Sequence, residues 1–334
     1  MTVATMKAVW IERFGGPEGL VIRSVPRPRI TADQVLVRVR ASALNRADLL
    51  QRQGRYPAPP GYPQEIPGIE FAGEVAEVGP LVQMWKPGQR VFGLTGGGAQ
   101  AEYLVTQERL LAEIPANLDW AAAAAVPEVF ITAHDALWKQ AELKPGETVL
   151  IHAVGSGVGL AAVQLVHAIR AIAFGTSRTA EKIQRGRPLG LTDGIAVQQN
   201  LDELVSSAQR WTSGRGIDVV LDLVGGPYVA ASQKLMAAKG RIILVGTIAG
   251  GACELDSRLV MSKRLRITGT VLRARPLEEK IQATRSFAGE VVPLLADGVL
   301  RPNIDSKFSV DDIQKSHERL ESNATFGKVI IEIG

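Results

Sequence analysis

The chain holds one cysteine, Cys253, and four histidines in 334 residues. A lone cysteine cannot form an intramolecular disulfide. The histidines, at 134, 152, 167 and 317, lack metal-ligand spacing. A structural zinc ion needs four ligands drawn mostly from these two residue types, so the sequence offers none. Scarce cysteine suits a reducing compartment. Long apolar runs are also missing. The most apolar stretch, residues 120–133, is broken by Pro127 and Glu128 and is too short to span a bilayer. Residues 1–7 contain no apolar signal core. The net charge of +4 is scattered, with no block of five or six like charges, which reads as solvated faces rather than a nucleic-acid stripe. These absences predict a soluble cytoplasmic protein with neither membrane nor nucleic acid as partner.

What is present is 46% hydrophobic residues and 34 glycines, a composition suited to an α/β protein. The length predicts two domains. Up to about residue 120, short alternating segments such as 35–39 and 73–78 read as strands, and Lys86-Pro87-Gly88-Gln89 as a turn feeding another at 90–92. This texture predicts a barrel-like, mainly antiparallel domain. From about 123 the texture changes to strand–helix alternation. Residues 148–153 form an apolar run of the kind a doubly covered parallel strand needs. A helix is expected at 160–169, and further strands at 171–175, 217–223, 241–245 and 265–270. Such repeated units give a doubly wound parallel sheet. A last strand at 328–333 is expected to rejoin the first domain. The expected boundaries are 1–122 with 267–334 for one domain, and 123–266 for the other.

The first strand of the second domain runs into Val154-Gly155-Ser156-Gly157-Val158-Gly159 and a helix. Glycines there let backbone amides approach a pyrophosphate at a helix N-terminus. The full G-x-G-x-x-G spacing is not kept, and the same glycines would serve a tight turn packing helix on sheet. The next strand ends in Ser177-Arg178, with no acid before Glu181. An acid at this place would bind ribose hydroxyls of NADH. Its absence, with Ser177, Arg178 and Lys182 available to hold a 2′-phosphate, predicts NADPH.

Three further segments carry a resemblance: Ala41-Ser42-Ala43-Leu44-Asn45-Arg46-Ala47-Asp48, Gln51-Arg52-Gln53-Gly54-Arg55-Tyr56, and Ile151-His152-Ala153 with Ser156-Gly157-Val158-Gly159. With them the whole chain resembles the quinone oxidoreductases of the medium-chain dehydrogenase/reductase superfamily, zeta-crystallin among them. The tumour-suppressor-inducible branch is the most similar. The resemblance implies a Rossmann domain for the cofactor and a GroES-like catalytic domain. Zinc alcohol dehydrogenases of the superfamily carry a Cys three residues before the Asp matched by Asp48; here it is Asn45. Their Gly-His-Glu segment is Gly68-Ile69-Glu70, and the four-cysteine lobe is missing. The expectation is therefore chemistry without a metal. A quinone is already electron-poor and needs only placement against the nicotinamide.

By the same resemblance Asn45 and Tyr56 line the substrate and nicotinamide pocket, each able to hydrogen-bond a carbonyl oxygen as it gains charge. The cofactor-binding set becomes Asn45, Thr132, Ser156, Gly157, Val158, Gly159, Ser177, Arg178, Lys182, Val224, Gly225, Gly246, Thr247, Leu272, Arg273 and Asn323. Two residues depart from the family. Val197 stands where a Tyr often touches the 2′-phosphate, and Arg170 replaces a glycine before the second strand, which requires a compatible backbone. The expected function is hydride transfer from NADPH to a quinone or similar conjugated carbonyl in a cleft between the domains, by a homodimer paired near 265–270. Reduction of activated alkenes is the alternative, and non-enzymatic RNA binding a remoter one.

Overall fold

The computed structural model describes residues 4–197 and 201–334. Among the described residues fifteen strands follow in chain order: β1 (Thr5–Ile11), β2 (Leu20–Pro26), β3 (Gln34–Ala43), β4 (Glu70–Val78), β5 (Arg90–Leu94), β6 (Tyr103–Gln107), β7 (Leu111–Glu113), β8 (Thr148–Ile151), β9 (Ile172–Ser177), β10 (Leu191–Ala196), β11 (Ile217–Asp222), β12 (Met236–Leu244), β13 (Arg266–Gly269), β14 (Ile304–Ser309) and β15 (Lys328–Glu332). The chain divides into two compact units, Met1–Ile131 with Leu272–Gly334, and Thr132–Val271. Helix Trp120–Ala124 and the first turn of helix Pro127–His134 belong to the first unit, and β13 belongs to the second.

In the first unit, the strand order is β14-β15-β3-β4-β5-β7, with β6 paired to β3 and the hairpin β1–β2 alongside. All pairs are antiparallel except β14–β15. Val35, Val37, Val39, Phe71, Val91 and Ile331 share one buried core. β15 pairs with β3 from Ile330–Ala43 to Glu332–Ala41, so the last strand does rejoin the first domain. β14 was not expected: its sequence, Ile304-Asp305-Ser306-Lys307-Phe308-Ser309, is too polar to signal a strand and lies at the sheet edge.

In the second unit, six parallel strands lie in the order β10-β9-β8-β11-β12-β13. Ranked within the unit, this is 3-2-1-4-5-6, the doubly wound Rossmann order. Central β8 is wholly buried, as its uninterrupted apolar run requires. Leu150, Phe174, Val220 and Ile242 build the core with Leu204 and Leu235 from the helices. β10 escapes sequence reading because Thr192, Asp193 and Gly194 interrupt its apolar pattern. Helix Pro127–His134 continues as one π-helical turn, Asp135–Gln140. Among the described residues no helix is long and apolar enough to cross a membrane.

Arg170 tests the expectation made of it. It has φ +60°, the left-handed region, just before β9. That conformation costs a non-glycine residue about 1–2 kcal/mol, against about 0.5–1 kcal/mol for glycine's larger entropy loss on folding. Arg170→Gly should therefore stabilise the protein by about 0.5–1 kcal/mol, read as a higher urea midpoint at unchanged slope. A lower midpoint would show that the Arg side chain contributes more than the backbone strain removes.

Candidate active site

The first unit buries an ion pair. Lys328 opens β15 and Glu70 opens β4; their side chains are 4% and 0% exposed, and Nζ lies 2.8 Å from Oε1. The ammonium has two further acceptors, the Leu44 carbonyl and Asn45 Oδ1, each at 2.7 Å. Asn45 Nδ2 donates to Glu70 Oε1 (2.7 Å) and to the Ala43 carbonyl (3.2 Å). Glu70 Oε2 accepts the Glu128 backbone N–H at 2.8 Å. Asn45 is also the N-cap of helix Arg46–Arg52, a position that favours Asn. Its own N–H donates to Asp48 Oδ2 (2.8 Å), while Asp48 Oδ1 accepts from Gly68 N–H (2.9 Å). Burial pushes the Asp48 carboxyl up to about 6, despite those two bonds and the charges of Arg273 and Lys328.

Beside this network lies a pocket of roughly 410 Å³, open mouth included, wholly within the first unit. Its walls are mostly apolar, from Ile69, Leu94, Leu110, Ile131 and Leu272, with Tyr62, Glu128, Arg273 and Lys280 as polar groups. Arg273 is fixed on three sides: Nε to the Gly96 carbonyl (2.8 Å), Nη2 to Gln51 Oε1 (2.6 Å) and Nη1 to the Tyr56 carbonyl (3.3 Å). Lys280 Nζ donates to the Arg273 carbonyl (3.1 Å) and lies over the Tyr62 ring. Burial lowers the pKa of both cations. Burial, and then the neighbouring Glu70 carboxylate, pushes Glu128 up to about 8.

The sequence-derived residues distribute unevenly over this geometry. Leu272 and Arg273 line the pocket. Tyr56 does not; it backs Arg273, whose guanidinium sits 4.9 Å above its ring. Asn45 lies in the ion-pair network with both amide hydrogens engaged, which leaves it no donor for a substrate carbonyl. Asn323 accepts from Arg46 at the end of helix Ile313–Glu321. Sequence reasoning passed over Lys328, Glu128 and Lys280, and noted Glu70 only for the missing histidine beside it. A signal existed for two of them: Lys328 and Glu70 are opposite charges, each heading an apolar strand.

The second unit holds the glycine turn. Ser156 is the N-cap of helix Gly157–Ala168, its Oγ accepting from Gly159 N–H at 3.1 Å. The N–H groups of Gly157 and Val158 belong to the first turn, where a helix offers no acceptor. A Cβ on Gly159 would stand 2.6 Å from the Val154 carbonyl oxygen, so only glycine permits this helix to begin so close to β8. Beyond β11, Asp222 Oδ1 accepts the N–H groups of Val224 and Gly225, both at 2.8 Å, and fixes that loop. Gly246 and Thr247 follow β12. Ser177 ends β9 buried, and Arg178 beside it is exposed. Val197 N–H donates to the Ser177 carbonyl (2.7 Å). Lys182 packs its methylenes beside Gly155. Thr132 Oγ1 is buried without a hydrogen-bond partner. These features fit a dinucleotide: amides at a helix start, and a hydroxyl whose need is unmet within the protein.

A catalytic zinc fits poorly. Asn45 and Ile69 offer neither thiolate nor imidazole, and the Lys328 ammonium already binds Asn45 Oδ1 and Glu70 Oε1. Among the described residues, no group of three or more His, Cys, Asp or Glu could hold a metal ion. The set-aside histidines have structural surroundings. His152 bonds Thr176 (3.1 Å) and Ser232 (3.0 Å), and His317 is held down to about 3 by burial and by Arg52.

Residues 31–116 match the alcohol dehydrogenase GroES-like domain family, and residues 190–331 the zinc-binding dehydrogenase family. A quinone oxidoreductase of Lama guanicoe is 33% identical over 98% of this chain and 97% of its own. The Escherichia coli quinone oxidoreductase, solved in complex with NADPH, superposes with a TM-score of 0.86 at 28% identity, covering 99% of this chain and 100% of that one. An NAD-dependent alcohol dehydrogenase gives 0.87 at 29% identity over 98% and 100%. Fold and matches together define an oxidoreductase of the medium-chain dehydrogenase/reductase superfamily. Within it, the chain belongs to the quinone oxidoreductase family.

The ion pair should dominate the stability of the first unit. Lys328→Met leaves Glu70 buried and unpaired and should cost about 3–5 kcal/mol. Glu70→Gln combined with Lys328→Met should recover most of that loss in urea or thermal unfolding. A double variant no more stable than the single would refute the pairing.

Proposed function

We propose that this protein transfers hydride from NADPH to quinones, or to similarly conjugated carbonyls, without a metal. The observation that carries the reading is the Asn45–Glu70–Lys328 network. The Lys328 ammonium serves as counter-ion to the buried Glu70 carboxylate and binds Asn45, which by the resemblance stands where zinc relatives carry a cysteine. Alcohol oxidation needs a Lewis acid for the alkoxide. An electron-poor acceptor needs orientation and a dry pocket, which the apolar walls suit.

NADPH, when bound, supplies the hydride. Gly157, Val158 and Gly159 with Ser156 would hold its pyrophosphate, and Thr132 a ribose hydroxyl. Val224, Gly225, Gly246 and Thr247 would border the nicotinamide half, and by the resemblance Leu272, Arg273 and Asn323 would also contact the cofactor. Ser177, Arg178 and Lys182 would hold the 2′-phosphate, and no acid at the end of β9 repels it. Asn45 acts as a positioning residue, since its amide orients Glu70 and Lys328. Tyr56 supports Arg273. β13 ends the six-stranded sheet, and its unpaired edge suits a homodimer joined there. The single exposed cysteine suits a cytoplasmic setting.

Arg178→Ala should weaken NADPH by roughly 1.5–3 kcal/mol and leave NADH unchanged in a binding titration. Equal weakening of both would remove the 2′-phosphate assignment. Turnover across ortho-quinones, para-quinones and enals should favour a quinone. Efficient enal reduction with no quinone turnover would transfer the assignment to alkenes.

A further inference from the structure

Uptake of hydride by a conjugated carbonyl leaves negative charge on oxygen, and a proton must follow. Two neutral acids line the pocket, Tyr62 and Glu128; the Lys280 ammonium there is already engaged by the Arg273 carbonyl. Burial raises the Tyr62 phenol above its usual range, making it the weaker donor. Tyr56 does not line the pocket. Glu128 is held at its backbone, through the N–H bond to Glu70, while its carboxyl makes no hydrogen bond among the described residues. Thr132 follows it by one turn on helix Pro127–His134, so the two share a face.

We propose that Glu128 is a catalytic residue, the acid that protonates the substrate oxygen as hydride arrives. The assignment rests on the reductase reading above. The acceptor gains the hydrogen and electron pair that bound NADPH would supply as hydride, and charge gathers on the carbonyl oxygen. The Glu128 O–H bond breaks, the new substrate O–H bond forms, and the carboxylate recovers its proton from water after product leaves.

The groups facing Glu128 hold it in the protonated form at neutral pH. Glu70 on β4 and Asp48 on helix Arg46–Arg52 oppose its ionisation, while Lys328 on β15 and Arg273 favour it. Both of these cations are committed elsewhere: Lys328 to Glu70, Asn45 and Leu44, and Arg273 to Gln51, Gly96 and Tyr56. Lys280, across the pocket on helix Leu277–Glu290, is bonded to the Arg273 carbonyl. Burial and Glu70 thus prevail, and the carboxyl titrates at about 8. As an acid it is active below that pH and spent above it.

The test compares wild type, Glu128→Gln and Glu128→Asp, with NADPH and a para-quinone. Glu128→Gln should lower kcat about 100-fold, with NADPH affinity unchanged. It should also abolish the wild-type fall in activity above about pH 8. Glu128→Asp should retain an alkaline limb. Without cofactor, the infrared difference between wild type and Glu128→Gln should contain a protonated carboxyl band that titrates away over the same range. Near-normal kcat with an intact alkaline limb in Glu128→Gln would overturn this assignment alone. Absence of quinone and enal turnover in wild type would overturn it together with the functional reading. Should Glu128→Gln fail to fold, wild-type activity that is flat from pH 7 to 10 would overturn it instead.

Discussion

The buried contact between Lys328 and Glu70 organises the first unit. A charged group loses several kcal/mol of hydration on such burial and persists only with a partner and with its remaining hydrogen bonds met. Here both conditions hold. The ammonium reaches three oxygens, and the carboxylate accepts from Lys328, Asn45 and the Glu128 backbone. The requirement binds together segments far apart in sequence: the end of β3, the start of β4, the helix at Pro127 and the start of β15. Neighbouring features follow from it. Asn45 cannot swing toward a ligand without stranding a donor, and the first turn of helix Pro127–His134 is pinned where Glu128 meets the pocket.

The pocket wall follows the same logic of satisfied charge. Arg273 is buried yet makes three hydrogen bonds and stacks over Tyr56, so it serves as a rigid wall. Tyr56 contributes by holding that wall. Ile69, Leu94 and Leu272 then leave a mostly apolar surface between the polar groups of the pocket. In the other unit, the work is done by backbone: the close approach at Gly159 and the Asp222 carboxylate that gathers two N–H groups.

Much of this was legible in the residues, for identifiable reasons. The parallel strands β8, β9, β11 and β12 announce themselves because burial on both faces demands continuous apolar runs. β10 and β14 do not, because they lie at sheet edges where polar residues are tolerated. Arg170 was flagged by its likeness to a glycine position, and its backbone is indeed left-handed. The site was harder. Asn45 was visible as a replaced ligand, but its partner Lys328 lies 283 residues away, and no local pattern reports so distant a pair. Glu128 looked like a break in an apolar segment. Its chemical character comes from which cations are already engaged around it, a property of three-dimensional bookkeeping that spacing does not encode.

The position of β15 has a consequence for biosynthesis. The catalytic unit is interrupted by the whole of Thr132–Val271, and Lys328 is supplied only when β15 inserts between β14 and β3. During translation, domains fold as they emerge, the N-terminal parts first. The Rossmann unit therefore leaves the ribosome and closes while Glu70 still lacks its counter-ion. A nascent chain can acquire its Rossmann fold early, yet the buried Glu70 stays unpaired until Lys328 clears the exit tunnel. Chains stalled or clipped before Lys328 would carry the Rossmann unit without the buried ion pair of the first unit.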